Sequence, residues 1–139
     1  MLDLAARLLK RHEGFRARPY QDTVGKLTVG YGRNLDDVGI TEAEATHLLW
    51  NDLEAAAAAL ASKLPWWDTL DAVRQTVLIC MAVNMGVRGL LTFQRTLTLI
   101  ADRHFEEAAV EMLRSKWATQ VGERARELAR MMHTGEEPA

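Results

Sequence analysis

From Thr41 to Pro65 the sequence specifies one uninterrupted helix, and this segment constrains the fold more than any other. Thr41-Glu42-Ala43-Glu44 has the form of a capping box, in which a threonine hydroxyl and the glutamate carboxylate three residues on satisfy orphan backbone amides reciprocally. Leu48, Leu49, Leu53 and the run Ala55 to Ala59 continue it with good helix formers to about Lys63. Pro65, which lacks an amide hydrogen and clashes with the preceding turn, stops it. Residues 41–64 are therefore read as a connecting helix, with different kinds of structure on its two sides.

On the N-terminal side, Leu2, Ala5, Ala6, Leu8 and Leu9 recur at helical spacing behind Asp3, a candidate cap. They predict a short helix ending at Gly14, with Glu13 on its last turn. From Pro19 to Gly32, Tyr20, Val24, Thr28, Val29 and Tyr31 are punctuated by Gly25, Gly30 and Gly32. That pattern predicts a small antiparallel hairpin turning near Asp22-Thr23-Val24-Gly25. Everything beyond Pro65 is helical by period: Asp71 capping Ala72 to Met85, closed by Gly86; Thr92 capping Phe93 to Ala101; then Phe105 to Arg114 and Gly122 to Met132. The apolar segment Val77 to Val83 is the natural central helix, buried on most sides. The fold class is α+β, mainly helical, as one domain over 1–139 with a two-lobed layout. A hairpin lobe spans about 14–40, the connecting helix 41–64, and a helical lobe 65–133 that also takes in helix 2–13; 134–139 is a frayed tail. Such a layout leaves a cleft between lobes.

Composition removes several function classes. The chain is 48% hydrophobic and 26% charged, with three Pro and nine Gly, which is ordinary globular usage. Seventeen Lys plus Arg against nineteen Asp plus Glu leave a formal charge of −2, with no basic surplus for a nucleic-acid backbone. The single Cys80, within Thr76-Val77-Leu78-Ile79-Cys80-Met81-Ala82, has no internal disulfide partner and is read as a buried small hydrophobe. His12, His47, His104 and His133 share no ligand spacing, so neither a metal site nor a cofactor is expected. No stretch approaches the ~20 apolar residues of a membrane span, and no secretory signal or anchor is read. A monomer is the default expectation.

The chemistry concentrates in His12-Glu13-Gly14-Phe15-Arg16, Pro19-Tyr20-Gln21-Asp22-Thr23 and Lys26-Leu27-Thr28-Val29-Gly30-Tyr31-Gly32-Arg33. A carboxylate at a helix end is followed by one at a hairpin turn, then by a threonine hydroxyl. Two carboxylates on different elements can face each other across a gap, as glycoside hydrolysis requires. Taken alone, such a pair is more often two solvated surface residues. The order and spacing of the whole segment decide otherwise, because it resembles the phage-type lysozyme family of glycoside hydrolases. That family carries Glu-Gly after the first helix, Tyr-x-Asp-Thr nine residues on, and Thr-[Val/Ile]-Gly-x-Gly closing the hairpin. Glu13-Gly14, Tyr20-Gln21-Asp22-Thr23 and Thr28-Val29-Gly30-Tyr31-Gly32 match without a gap. The resemblance continues through Leu70-Asp71-Ala72-Val73-Arg74, Asn84-Met85-Gly86, Phe93, Glu107-Ala108-Ala109-Val110, Ser115-Lys116-Trp117 and Arg124.

The resemblance implies a muramidase that cleaves the β-1,4 bond between N-acetylmuramic acid and N-acetylglucosamine, with inversion. Glu13 would be the general acid, while Asp22 and Thr28 hold the attacking water. A carboxyl at a helix C-terminus feels the negative end of the dipole, which favours the protonated form that an acid needs. An inverting pair should lie roughly 6.5–9.5 Å apart. Substrate contacts carried over are Gly32, Asn34, Asn84, Thr96, Trp117 and Arg124. Of these, Asn34 and Thr96, together with Val83 and Glu111, fall at cleft positions where the residue type departs from the family's. Trp117 is equally a core candidate, and the alternative for Arg124 is a solvent-facing helix position. Trp66-Trp67 is read as an apolar anchor for the end of the connecting helix, with a sugar platform as the alternative. Where many relatives pair His with Asp, this chain offers Arg33 and Asp52 as a structural salt bridge that does not titrate near neutrality. The partner is peptidoglycan, reached from the host cytoplasm through a holin-type pore or on a phage tail. Competing readings are a catalytically silent wall-binding or tail-structural module, and a lytic transglycosylase. Residues 1–40 hold seven Lys/Arg against five Asp/Glu, and residues 112–130 five against two, a weak positive bias suited to an anionic wall polymer.

Overall fold

A computed structural model describes residues 1–139, which divide into two compact units, Met1–Leu48 and Leu49–Ala139. The chain is α+β and mainly helical, with a three-stranded antiparallel sheet in the first unit and eight α-helices along its length.

The first unit holds α1 (Leu2–Glu13), β1 (Arg16–Gln21), β2 (Leu27–Gly30), β3 (Arg33–Asn34) and the opening turns of α2 (Glu42–Lys63). The start of α1 differs from expectation: Met1 is the N-cap, no side chain caps the helix, and Asp3 lies inside the first turn. There its charge still complements the positive end of the dipole, as Lys10, Arg11 and His12 complement the other end. The hairpin forms where predicted. Tyr20 pairs with Thr28 and Gln21 with Leu27, and the register is irregular between Arg16 and Tyr20, where Pro19 has no amide to donate to the ladder. The two-residue β3 adds Thr28↔Asn34 and Val29↔Arg33, a strand too short to leave a periodic signal. The capping box of α2 is made in both directions: Glu44 N–H donates to Thr41 Oγ1 at 3.1 Å and Thr41 N–H to Glu44 Oε1 at 2.9 Å.

In the second unit, α2 ends before Pro65 and a 3-10 turn (Trp67–Thr69) follows. Then come α3 (Ala72–Met85), α4 (Val87–Leu91), α5 (Gln94–Ala101), α6 (Phe105–Arg114), α7 (Lys116–Val121) and α8 (Glu123–Thr134). Every buried apolar side chain of the chain belongs to this unit; Leu60, Leu78, Met81, Leu90, Ile100, Met112 and Met132 are fully buried. At about 1.5–3 kcal/mol per buried large aliphatic side chain, this core is the main source of stability. Trp67 is part of it, and its carbonyl accepts the Gln75 amide at 2.8 Å.

Asp71 caps α3, accepting Arg74 N–H at 3.1 Å. Partial burial pushes its carboxyl up, but the hydrogen bonds and charge of Arg74 outweigh that and hold it below the usual range. Arg74 also donates to the carbonyls of Met132 (2.6 Å) and His133 (2.8 Å), and its guanidinium lies 3.6 Å from the centre of the Phe105 ring.

Three sequence expectations are corrected here. Helix α3 is buried along one face, Val77, Leu78, Met81 and Ala82, instead of on most sides; Thr76, Val83 and Asn84 are exposed. Cys80 shares that outer face and is exposed, because its helical position falls outside the buried stripe; desolvation pushes its thiol up while the Arg124 charge pulls it down. Thr92 does not cap α5: Phe93 is the N-cap, and the Thr92 hydroxyl donates to the Gly89 carbonyl at 2.6 Å, closing α4.

Candidate active site

Glu13, Asp22, Thr28 and Gly32 all belong to the first unit, Glu13 at the end of α1 and the others on the sheet and its turns. Glu13 is the final residue of α1, and the chain leaves through Gly14 at φ 68°, a left-handed turn that glycine adopts without strain. Its side chain lies over the backbone of Gly32. A Cβ at residue 32 would stand 3.0 Å from Glu13 Cδ and 3.1 Å from Oε2, and Gly32 itself has φ +79°. The positive φ favours glycine at residue 32, and a Cβ there would press on the end of the Glu13 side chain, so the turn also leaves room for that carboxyl. Glu13 makes no ion pair within this unit.

Asp22 closes the hairpin turn with its side chain. Oδ1 accepts Val24 N–H at 2.9 Å and Lys26 N–H at 2.8 Å, and the Asp22 amide donates to the Lys26 carbonyl at 2.9 Å. Oδ2 accepts nothing from the protein, so one oxygen is committed to orientation and the other remains for a ligand. Thr28 stands opposite Tyr20 on β2 and is 3% exposed, with Oγ1 donating to the Lys26 carbonyl at 2.9 Å. Donating that hydrogen leaves the oxygen's lone pairs as acceptors, which suits a water held between Asp22 and Thr28.

Asn34 turns into its own loop: Oδ1 accepts Asp37 N–H at 2.9 Å and Nδ2 donates to Asp37 Oδ2 at 3.0 Å. The expected Arg33–Asp52 pair is not formed. Arg33 donates to Glu44 through Nη1 at 2.8 Å, with Nη2 at 2.8 Å from the other carboxylate oxygen, and Nη1 also reaches the Gly39 carbonyl at 3.1 Å. The reason is the capping box. Glu44 is already aimed back at the start of α2 by the Thr41 amide, and the short 34–40 loop delivers Arg33 to the same place. Asp52, two turns further along α2, enters no ion pair. The Arg33 and Thr41 bonds hold the Glu44 carboxyl at about 2, far below its ordinary 4.5, and Glu44 raises Arg33 in return.

In the second unit, Trp117 is 6% exposed and stands edge-on to Phe93, with ring centroids 6.5 Å apart at 77°. Its Nε1–H donates to Asn84 Oδ1 at 2.8 Å, so these two predicted substrate residues form one α3–α7 unit. Arg124 is exposed in the first turn of α8. Thr96 is buried on α5, beside a feature that sequence reasoning missed: Glu111 Oε1 accepts Arg95 Nε at 3.0 Å and Arg114 Nη1 at 3.2 Å. The Glu111–Arg114 half is an i,i+3 helix pair and is legible from spacing; the Arg95 half joins two helices and is not.

The chain matches the phage lysozyme family over residues 10–132. It is 31% identical to the probable T4-type lysozyme 1 of Dictyostelium discoideum, with 92% of each chain covered. It is 29% identical to the pre-baseplate central spike protein Gp5 of Enterobacteria phage T4, where the match takes 94% of this chain and 28% of that protein. An endolysin of Acyrthosiphon pisum secondary endosymbiont phage 1 shares 38% identity over 61 residues, 41% of each chain.

Proposed function

The chain belongs to the phage lysozyme family, whose members are peptidoglycan hydrolases, and from that premise we propose that it cleaves the wall's β-1,4 bond between N-acetylmuramic acid and N-acetylglucosamine, with inversion at the anomeric carbon. Glu13 donates its proton to the leaving glycosidic oxygen. Water held by Asp22 Oδ2 and the Thr28 hydroxyl attacks the opposite face of the sugar, and the ionised Asp22 takes the proton that the water releases. Atoms and charge balance: one proton leaves Glu13 and one arrives at Asp22, and exchange with solvent restores both.

The observation that carries this reading is the fit of Glu13 over Gly32. The Glu13 carboxyl is exposed at the end of α1 over a turn whose glycine leaves it room, a position from which an acid can reach a bound sugar. Gly32, Asn34, Asn84, Thr96, Trp117 and Arg124 are the proposed substrate contacts, and the enzyme works on the cell wall as one lysozyme domain. No helix is long and apolar enough to cross a membrane.

Mass spectrometry of digested wall tests the reaction. Reducing muramic ends support hydrolysis, 1,6-anhydro ends point to a transglycosylase, and no product at all points to a silent binding module. Glu13→Gln should reduce turnover by a factor of roughly 10²–10⁴, the scale of a lost general acid, while leaving Tm within about a degree or two. Substantial residual activity in that variant would sink the assignment.

A further inference from the structure

We infer that Phe15, Tyr31 and Lys10 form a clasp that fixes the Glu13 carboxyl over Gly32, acting as positioning residues for the proton transfer without touching the sugar. This rests on Glu13 being the general acid.

Each half of the Glu13–Gly32 contact has an aromatic ring next to it along the chain. Phe15 follows Glu13 by two residues, and Tyr31 immediately precedes Gly32. The two rings meet with centroids 5.7 Å apart and planes tilted at 51°, within the range where the quadrupoles of an aromatic pair attract. The Lys10 ammonium lies 5.3 Å from the centre of the Tyr31 ring, close enough for a cation–π contact. Lys10 and Glu13 are three residues apart on α1 and so share a face of that helix. The Lys10 carbonyl accepts the Gly14 amide at 3.0 Å, which closes the helix's last turn. Lys10 and Phe15 thus tie the end of α1 that carries the acid to the turn that lies beneath its carboxyl.

The backbone alone leaves this junction loose. Gly14, Gly30 and Gly32 all have positive φ, which places a conformationally permissive residue before Phe15 and on both sides of Tyr31. The β1–β2 ladder reaches only as far as Arg16↔Gly30, so both aromatic residues lie just outside it. Phe15 is 66% exposed and Tyr31 48%, so burial does little to fix either ring. Their contact with each other and with Lys10 supplies the constraint that ladder and core do not. An acid gains from such a constraint, because a misplacement of about 1 Å can slow a reaction roughly 10²-fold.

The test is steady-state kinetics on a soluble peptidoglycan oligomer, at a temperature well below Tm. Phe15→Leu and Tyr31→Leu should each lower kcat about tenfold, part of the loss that a full 1 Å misplacement brings, and leave KM within about twofold. Tyr31→Phe keeps the ring and should keep kcat. Lys10→Met keeps the stem without the charge and should lower kcat about two- to fivefold, the scale of one exposed cation–π contact. The double variant Phe15→Leu/Tyr31→Leu should lose little more than either single variant, since both remove one shared contact. A contact that only stabilises the hairpin would lower Tm in the leucine variants and leave kcat unchanged, and that result overturns the inference. A loss confined to KM overturns it too, because it would make the rings part of the glycan site. If the wild-type chain does not cleave the oligomer, or Glu13→Gln keeps its activity, the reading of Glu13 fails instead.

Discussion

Gly32 and Gly30 make a controlled comparison at the level of single residues. Both have positive φ, +79° and +69°, but a Cβ at Gly30 meets nothing within 4 Å, whereas one at Gly32 meets the Glu13 carboxyl. Alanine at either position should cost about 1–2 kcal/mol in backbone strain. Only Gly32→Ala should also displace the acid, lowering kcat by roughly 10², the effect of a misplacement of about 1 Å. Measuring Tm and kcat for both variants separates the two effects; equal loss of activity would mean that the Glu13 contact is irrelevant. Glu13, Asp22 and Thr28 were nominated by the resemblance of the whole segment to the lysozyme motif, not by residue types alone. The sequence could not show that the Glu13 carboxyl lies over Gly32, because that side chain arrives from another element. Arg33 was mispaired for the same cause: its partner is decided by which carboxylate the loop delivers it to, and Glu44 was already turned toward it by its cap.

At the level of elements, start and stop signals that act locally were legible. The box at Thr41 and Glu44, the Asp71 cap, the stop before Pro65 and the hairpin turn all depend on side chains within four residues of the backbone they satisfy. The short pieces β3, α4 and α7 were missed, since two to six residues complete too little of a period to be read. Ser115, whose Oγ accepts Ala118 N–H at 3.1 Å, was the one available sign of α7. The start of α2 also has a pH signature. Glu44 in the folded chain sits at about 2 against an ordinary 4.5, so its contribution is complete above about pH 4.5 and disappears as pH falls toward 2. Glu44→Gln should therefore lower Tm at pH 6 and converge with the parent protein near pH 2. Between pH 6 and 8 neither Arg33 nor Glu44 changes charge, so the difference in Tm should stay flat; a slope in that range would show that another group controls it.

For the whole molecule, the uneven distribution of buried surface matters most. The second unit contains all of the buried apolar side chains, and Leu78 and Met81 at its centre are fully enclosed. Leu78→Ala should cost 2–5 kcal/mol by denaturant titration, the range for opening a cavity in a packed core, and a cost under 1 kcal/mol would show that the site collapses freely. Hydrophobic periodicity found the longer helices of this unit but not which face of α3 turns inward. That face is set by packing against α4, a short helix that left no periodic signal, and against α8, which lies far along the chain.

The Arg74 guanidinium has a consequence in time. It joins α3 to the last carbonyls of α8 across 58 residues, so it closes a long loop without a covalent bond, at the helix end that frays first. Such a bond can form only after α8 has docked, which places it late on the folding route. Arg74→Met should therefore steepen escape from the native state while leaving the rate of reaching it nearly untouched, a φ-value below about 0.3 in a chevron experiment. Equal movement of both limbs would put the contact in the folding nucleus instead. On this account one arginine acts as a latch whose main effect is on lifetime: it governs how long the second unit stays closed to a protease between openings.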